Sequence, residues 1–397
     1  MADGPGTPDN ALAVAREVLR RAPLIDGHND LPWVIRVDRV ARGDVVAYGL
    51  NRVHERADTD IPRLREGMVG AQFWAAFQPT NAPHPARTAL EQIDLIRRLE
   101  EAHPDVFLPA RRAADYAKAK SLGKIASFVA VEGGVGLENS LSPLRVWHAA
   151  GVRLMTLCHN ETLDWVDSAT DAPRNNGLNA FGRAIIGELN RLGIVIDLAH
   201  TSHDAMRRVL EVTEAPVALS HSNAFSLCDH PRNAPDDVLK RLKANGGLVM
   251  ATFVPGFVSQ ALRDWLRRSR DAYGKAPVVA DPKAQLSELE TKHGPAPKAS
   301  LEQVADHIVR LVETAGLNHV GVGSDYFGGA SPIGLEDVSR FPYLFAELVR
   351  RGFSERDLEK LSSKNMLRVL RRVEAVGASL RKTRPPAIGR LEDYREA

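Results

Sequence analysis

Short apolar runs alternate with stretches of helical periodicity along most of the chain. Leu24–Asp30, Val69–Phe77, Ile125–Glu132, Arg153–His159, Ile194–His200, Val217–His221, Gly247–Val254 and His319–Asp325 read as strands. Between them, Ala86–Ala102, Pro143–Ala150, Ala180–Leu192, Ser202–Val212, Pro235–Ala244 and Leu301–Ala315 carry helix-period patterning. Phe341–Arg350 and Ser354–Val373 follow as further helices, the second opened by the capping pattern Ser354-Glu-Arg-Asp. Runs as continuously apolar as Ile194–Ala199 suit strands covered on both faces. Eight strands alternating with helices predict a parallel α/β sheet closed as a (β/α)8 TIM barrel. The structural alternative, an open doubly wound sheet, lacks the glycine-rich turn expected after its first strand.

Two stretches break the alternation: 34–66 after the first strand and 255–300 after the seventh. The second contains an apparent helix, Phe257–Arg270, and a Pro/Lys-rich remainder. Both inserts are expected at the C-terminal face of the barrel, where long connections shape a substrate pocket. The 397 residues are read as a single barrel domain, with an N-terminal tail and helix (1–20) and a C-terminal helix and tail (354–397).

Composition narrows the class further. With 52 Lys+Arg against 50 Asp+Glu, the net charge of +2 argues against a nucleic-acid surface spread over the fold. No run reaches the roughly 18 apolar residues of a membrane helix, and the N-terminus lacks the apolar core of a signal peptide. Cys158 and Cys228 form neither a disulfide framework nor a thiolate metal motif. The expected setting is a cytoplasmic one, without membrane or nucleic-acid partners.

The C-terminal ends of the predicted strands carry the chemistry. The first ends in His28-Asn-Asp30 and the third in Glu132, followed by Gly133-Gly134. The fourth, fifth and sixth end in His159, His200 and His221, and the eighth in Asp325. Barrel enzymes assemble their sites at this face. Two residues apart on a strand, His28 and Asp30 point the same way and can grip one ion. Imidazole and carboxylate without thiolate suit Zn²⁺ or another borderline divalent ion. Three imidazoles and two carboxylates exceed what one open catalytic ion needs, and a carboxylate shared between two ions accounts for the surplus.

The segments Leu24-Ile-Asp-Gly-His-Asn-Asp-Leu-Pro-Trp33, Val131-Glu-Gly-Gly134, Met155–Asn160, Ile196–His200, Ser220-His-Ser-Asn223, Asp229-His-Pro-Arg-Asn233 and Gly323-Ser-Asp325 resemble, in order, the membrane (renal) dipeptidase family of zinc peptidases. That resemblance extends to Asn365–Arg368 and covers nearly the whole chain. It implies two Zn²⁺ per subunit, with His28 and Asp30 on the first, His200 and His221 on the second, and Glu132 bridging. It further implies that His159 contacts the tetrahedral intermediate and that Arg232 clamps the substrate's C-terminal carboxylate. Asp325 would shuttle a proton from the bridging water to the leaving amine. The implied substrates are dipeptides, L-Xaa-L-Xaa and L-Xaa-D-Xaa, and the implied assembly is a homodimer.

Residue chemistry alone leaves alternatives open: Asp325 as a metal ligand, His159 as a core histidine, and Arg232 as a surface arginine. Other readings of the same barrel are an amidohydrolase for N-acyl amino acids or cyclic amides, and a non-catalytic metal-binding protein. The chain departs from the family pattern at Phe327, where an Asp is usual, and at Thr252-Phe253-Val254, where a Tyr is frequent. Trp33 is expected in the pocket wall and His203 behind the site, with His230 bonded to the pocket wall. Asp164 and Asp167 are candidates to meet the substrate amine, and His54, His84, His103, His293 and His307 read as surface or packing residues.

Overall fold

A computed structural model of the protein describes residues 8–55, 57–271 and 282–394. The first part of the N-terminal tail, residues 272–281 of the second insert and the last three residues lie outside that description. Nine parallel strands are present among the described residues: β1 (Leu24–Asn29), β2 (Val69–Phe77), β3 (Phe107–Pro109), β4 (Ile125–Glu132), β5 (Val152–Thr156), β6 (Val195–Asp197), β7 (Ala218–Leu219), β8 (Leu248–Ala251) and β9 (Val320–Val322). They run in the order β2-β1-β9-β8-β7-β6-β5-β4, and pairing of β2 with β4 closes the ring. The fold is therefore the expected (β/α)8 barrel. The extra strand, β3, lies beside the start of β4 (Ile125–Ser127), leaving the later residues Val129–Glu132 to β5.

The continuous apolar runs are largely buried, and every residue of β1 and β4 is buried. Seven of the eight helices expected from periodicity form close to their expected bounds. The last differs. Ser354–Val373 begins with Glu355–Glu359, widens into a π-helical turn at Lys360–Lys364, and resumes as Asn365–Thr383. There the buried Asn365 side chain donates to the carbonyls of Leu317 and Val320, tying this helix to the entry of β9. Helices at Ala113–Ser121 and Pro282–His293 have weak amphipathic patterning and escape a reading by period. The 255–300 insert opens with helices Pro255–Val258 and Gln260–Asp271 in place of one continuous helix. No helix among the described residues is long and apolar enough to cross a membrane. Both cysteines are buried free thiols.

Strand register delivers the polar residues to one level. Phe77 pairs with Glu132, Glu132 with Thr156, and Thr156 with Asp197. At this end the barrel is narrow. A Cβ on Gly323 would stand 1.7 Å from the Ser220 carbonyl oxygen, so only glycine lets the chain leaving β9 approach the one leaving β7.

Candidate metal centre

Each predicted site residue lies at the C-terminal face, but most stand just beyond the strand ladders. Asp30 follows β1 at the start of helix Leu31–Val37, so strand alternation does not orient it. The neighbouring Asn29 side chain accepts from Leu31 N, and the Asp30 carboxylate turns to His28, with Oδ2 3.6 Å from Nε2. His159, His200, His221 and Asp325 come two or three residues after β5, β6, β7 and β9. His200 (φ 68°) and Asp325 (φ 62°) adopt left-handed backbone, which turns both side chains out of the strand direction. Glu132 ends β4 itself. The glycines after it allow a tight exit: a Cβ on Gly134 would meet Leu157 O and the Trp165 ring at 2.5 Å.

These turns bring the side chains together around Glu132. Its Oε2 lies 3.5 Å from His28 Nε2, while its Oε1 lies 3.2 Å from His200 Nε2, 3.8 Å from His221 Nε2 and 3.9 Å from His159 Nε2. Asp325 Oδ1 is 3.9 Å from His28 Nε2. Three sets of potential ligand atoms fall within 4.8 Å of one another: His28/Glu132/His221, Glu132/His159/His200 and His28/Asp30/Asp325. By proximity, then, His159 and Asp325 stand as near the cluster as the residues expected to hold metal.

The electrostatics are those of a cation site. His28, Glu132, His200 and His221 are buried, yet His28 Nδ1 and Nε2, His200 Nδ1 and His221 Nε2 have no hydrogen-bond partner among the described residues. Each such orphan costs about 1–3 kcal/mol, and two of them, His28 Nε2 and His221 Nε2, face Glu132, where a ligand would satisfy both. Burial acts to raise the Glu132 carboxyl, but the imidazoles, His28 foremost, hold it well below the usual range. Burial acts to lower His28, which Glu132 and Asp30 hold well above its ordinary value. His200 and His221 are pushed well below theirs by burial, reinforced by Arg232 and neighbouring imidazoles. They are thus neutral, the form that binds metal. Burial raises Asp325 to about 8, with His28 pulling against it and Asp30 and Glu132 adding to the rise. A divalent cation would be the largest charge here and would reverse that preference. The donor set, nitrogen and carboxylate oxygen only, fits zinc.

Behind the cluster lie two polar clasps. Asp197 accepts from Ser220 N and Oγ (2.8 and 2.6 Å) and from Thr156 Oγ1 (2.6 Å), and Ser220 Oγ lies 2.7 Å from His221 Nδ1. Asp26 likewise accepts from Ser324 N and Oγ, both at 2.7 Å, and from Gln72 Nε2 at 3.0 Å. Residue-type reasoning found the site-facing groups and missed these carboxylates, although both sit within the quoted motifs.

Arg232 is 1% exposed. Its Nη2 donates to His221 O at 3.5 Å, whereas Nε and Nη1 have no partner among the described residues. Burial lowers its pKa against the pull of Asp325 and Glu132. Its loop is pinned by Asn233, whose side chain donates to Cys228 O and Phe257 O. The His203 ring meets Asn233 O at 2.9 Å, which places it behind this loop. His230 accepts from Arg232 N at 3.2 Å. Trp33 packs edge-on against Phe77, which packs against His159. Phe327 packs half-buried against the hydrophobic core. One expectation needs correction. Asp167 is buried and accepts from Arg174 N, Asn175 N and Nδ2, and Gly177 N, so it organises its own loop; Asp164 is exposed and bonded to Asn139. Neither belongs to the sets of potential ligand atoms that meet at Glu132 and His28. His307 is the packing residue of the two alternatives, buried between Ala224 N and Val258 O.

Comparison with known proteins agrees with this geometry. A family model described as membrane dipeptidase (peptidase family M19) matches residues 12–384. Dipeptidase ataJ of Aspergillus terreus is 38% identical over 92% of this chain and 88% of its own. Among solved structures, the probable dipeptidase PvdM of Pseudomonas aeruginosa superposes with TM-score 0.80 at 24% identity, covering 93% of this chain and 100% of that one. A metallopeptidase of Rhodobacter sphaeroides, liganded with a phosphinate mimic of L-Ala-D-Ala, gives 0.72 at 23% identity over 88% and 99%. These two share the barrel; the family model and the curated relative establish that the chain belongs to the membrane dipeptidase family, peptidase family M19, and is a metal-dependent dipeptidase.

Proposed function

We propose that the protein is a binuclear zinc dipeptidase acting on L-Xaa-L-Xaa and L-Xaa-D-Xaa dipeptides. The observation that carries this reading is the division of labour at Glu132: one carboxylate oxygen faces His28, whose partner is Asp30, and the other faces His200 and His221. A shared carboxylate between two such groups is the arrangement a metal pair requires. His28, Asp30 and Glu132 would hold one ion, and Glu132, His200 and His221 the other. When bound, two zinc ions lower the pKa of water and polarise a carbonyl.

The remaining work falls to the chain. Arg232, with two unpartnered nitrogens, binds the free carboxylate of the substrate and restricts it to short peptides. His159, kept neutral by burial against the pull of Glu132, supports the carbonyl oxygen as negative charge develops on it. Asp325, within the cluster and ionised where a divalent cation is held, receives a proton at a carboxylate oxygen and returns it to the departing amine. The Trp33–Phe77 pair walls the site beside His159. The Rhodobacter relative's L-Ala-D-Ala mimic supports extending the substrate range to a C-terminal D-residue.

The test is metal analysis of protein purified without chelators, followed by zinc-loaded assays over L,L and L,D dipeptide libraries. Two ions per chain and dipeptide turnover are expected. No retained or recoverable divalent metal, or turnover of N-acyl amino acids in place of dipeptides, would overturn the proposal.

A further inference from the structure

Beyond Arg232 lies an apolar cavity of about 640 Å³, a size typical of small-molecule sites at roughly 300–1,000 Å³. One wall is the chain leaving β8, with Val254, Pro255, Phe257 and Leu266; the opposite wall is the loop after β9, with Pro332 and Ile333. The Phe257 ring belongs to both cavity and clamp. It lines the cavity, packs 4.3 Å from the His230 ring, and lies 5.4 Å from the Arg232 guanidinium carbon. Ile333, at the mouth, is 55% exposed. Charged groups of both signs also line the cavity, Arg263 and Arg267 (held by Asp229 at 2.6 and 2.9 Å) and Lys298 against Glu290 and Glu336, so the lining favours neither an anion nor a cation.

We propose that this cavity is the pocket for the side chain of the substrate's C-terminal residue, and that it selects large apolar side chains such as Leu, Met and Phe. The inference rests on the reading of Arg232 as the carboxylate clamp. Carboxylate and side chain leave the same Cα, so a carboxylate on Arg232 sets the side chain beside Phe257, where the cavity begins. A C-terminal Gly leaves Ile333 in water, whereas Leu or Phe covers it. Val254 adds to this wall an apolar side chain with no polar group that would need a partner.

The test is a kinetic series on the zinc-loaded enzyme with L-Ala-Gly and with L-Ala-Xaa, where Xaa is Ala, Leu or Phe in each configuration. In the configuration that directs the side chain to Phe257, kcat/KM should rise by about 10- to 100-fold from Ala to Phe. Ile333→Asp changes an exposed position and should fold. It should cancel most of that rise while leaving L-Ala-Gly within about twofold of the parent; Leu266→Lys, on the opposite wall, should do the same. A flat series in both configurations overturns the pocket assignment, as does a rise that survives both substitutions. Failure to cleave even L-Ala-Gly overturns the dipeptidase reading itself, and the pocket with it.

Discussion

Ser220→Ala tests whether the residues behind the centre control its metal affinity. Asp197 already accepts from Thr156 Oγ1, Ala199 N and Ser220 N, and its Oδ2 takes the hydroxyl proton of Ser220 at 2.6 Å. A serine has one such proton, so at 2.7 Å Ser220 Oγ must accept from His221 Nδ1. The bonding thus assigns the His221 proton to Nδ1 and leaves a lone pair on Nε2, which stands 3.8 Å from Glu132 Oε1. Removing the hydroxyl strands a buried N–H, at about 1–3 kcal/mol, and allows the tautomer that blocks Nε2. The expected result is a loss of roughly 10- to 100-fold in affinity for the ion that His221 binds, with the other ion unaffected. Competition against a colorimetric chelator resolves the two steps. Thr156→Val is the control: it removes a bond to the same Asp197 oxygen without touching His221, and should leave both affinities within about threefold. Unchanged zinc binding in Ser220→Ala, or equal weakening in Thr156→Val, would refute tautomer control.

Three further outcomes follow from the geometry. Arg232→Met should raise KM for dipeptides, lowering kcat/KM by roughly 100-fold or more through loss of a buried ion pair; the melting temperature should hold or rise, because a desolvated charge is removed, and unchanged kinetics would end the clamp assignment. Asp325→Asn should lower kcat by about 10²–10⁴-fold with zinc content retained, whereas loss of an ion would make it a ligand. Glu100, remote in sequence from the site and buried, is raised to about 7 by burial, against Ser127 and Arg97. Because its folded pKa exceeds the unfolded one, its stabilising contribution is full below about pH 4.5 and is lost as pH rises through 7. Glu100→Gln should therefore gain about 3 kcal/mol on the parent between roughly pH 5 and pH 9 in urea unfolding; a pH-independent difference would refute the shift.

The barrel was legible because strands covered on both faces must be apolar without interruption, and the eight runs stood out on that ground. Their ends were not. The ladders stop at Thr156, Asp197, Leu219 and Val322, while the apolar runs continue into loops whose direction depends on positive φ at His200 and Asp325, a conformation that residue type barely signals. Strand β3 is too short to announce itself, and Ala113–Ser121 is too evenly patterned.

The site was legible where its chemistry demands particular side chains, and obscure where it demands only support. Yet the support carries a signal. A carboxylate inside a continuously apolar run cannot be buried without donors, so Asp26, two residues before His28, and Asp197, three before His200, each imply a partner strand that supplies them. The partners are the same in kind: Ser324 and Ser220, each giving both backbone N–H and hydroxyl to its Asp. Each serine immediately precedes a site residue, Asp325 or His221. The clasp therefore fixes where that residue leaves its strand, and the motifs Ser-His and Ser-Asp after apolar runs are readable as positioning devices for the residues they introduce.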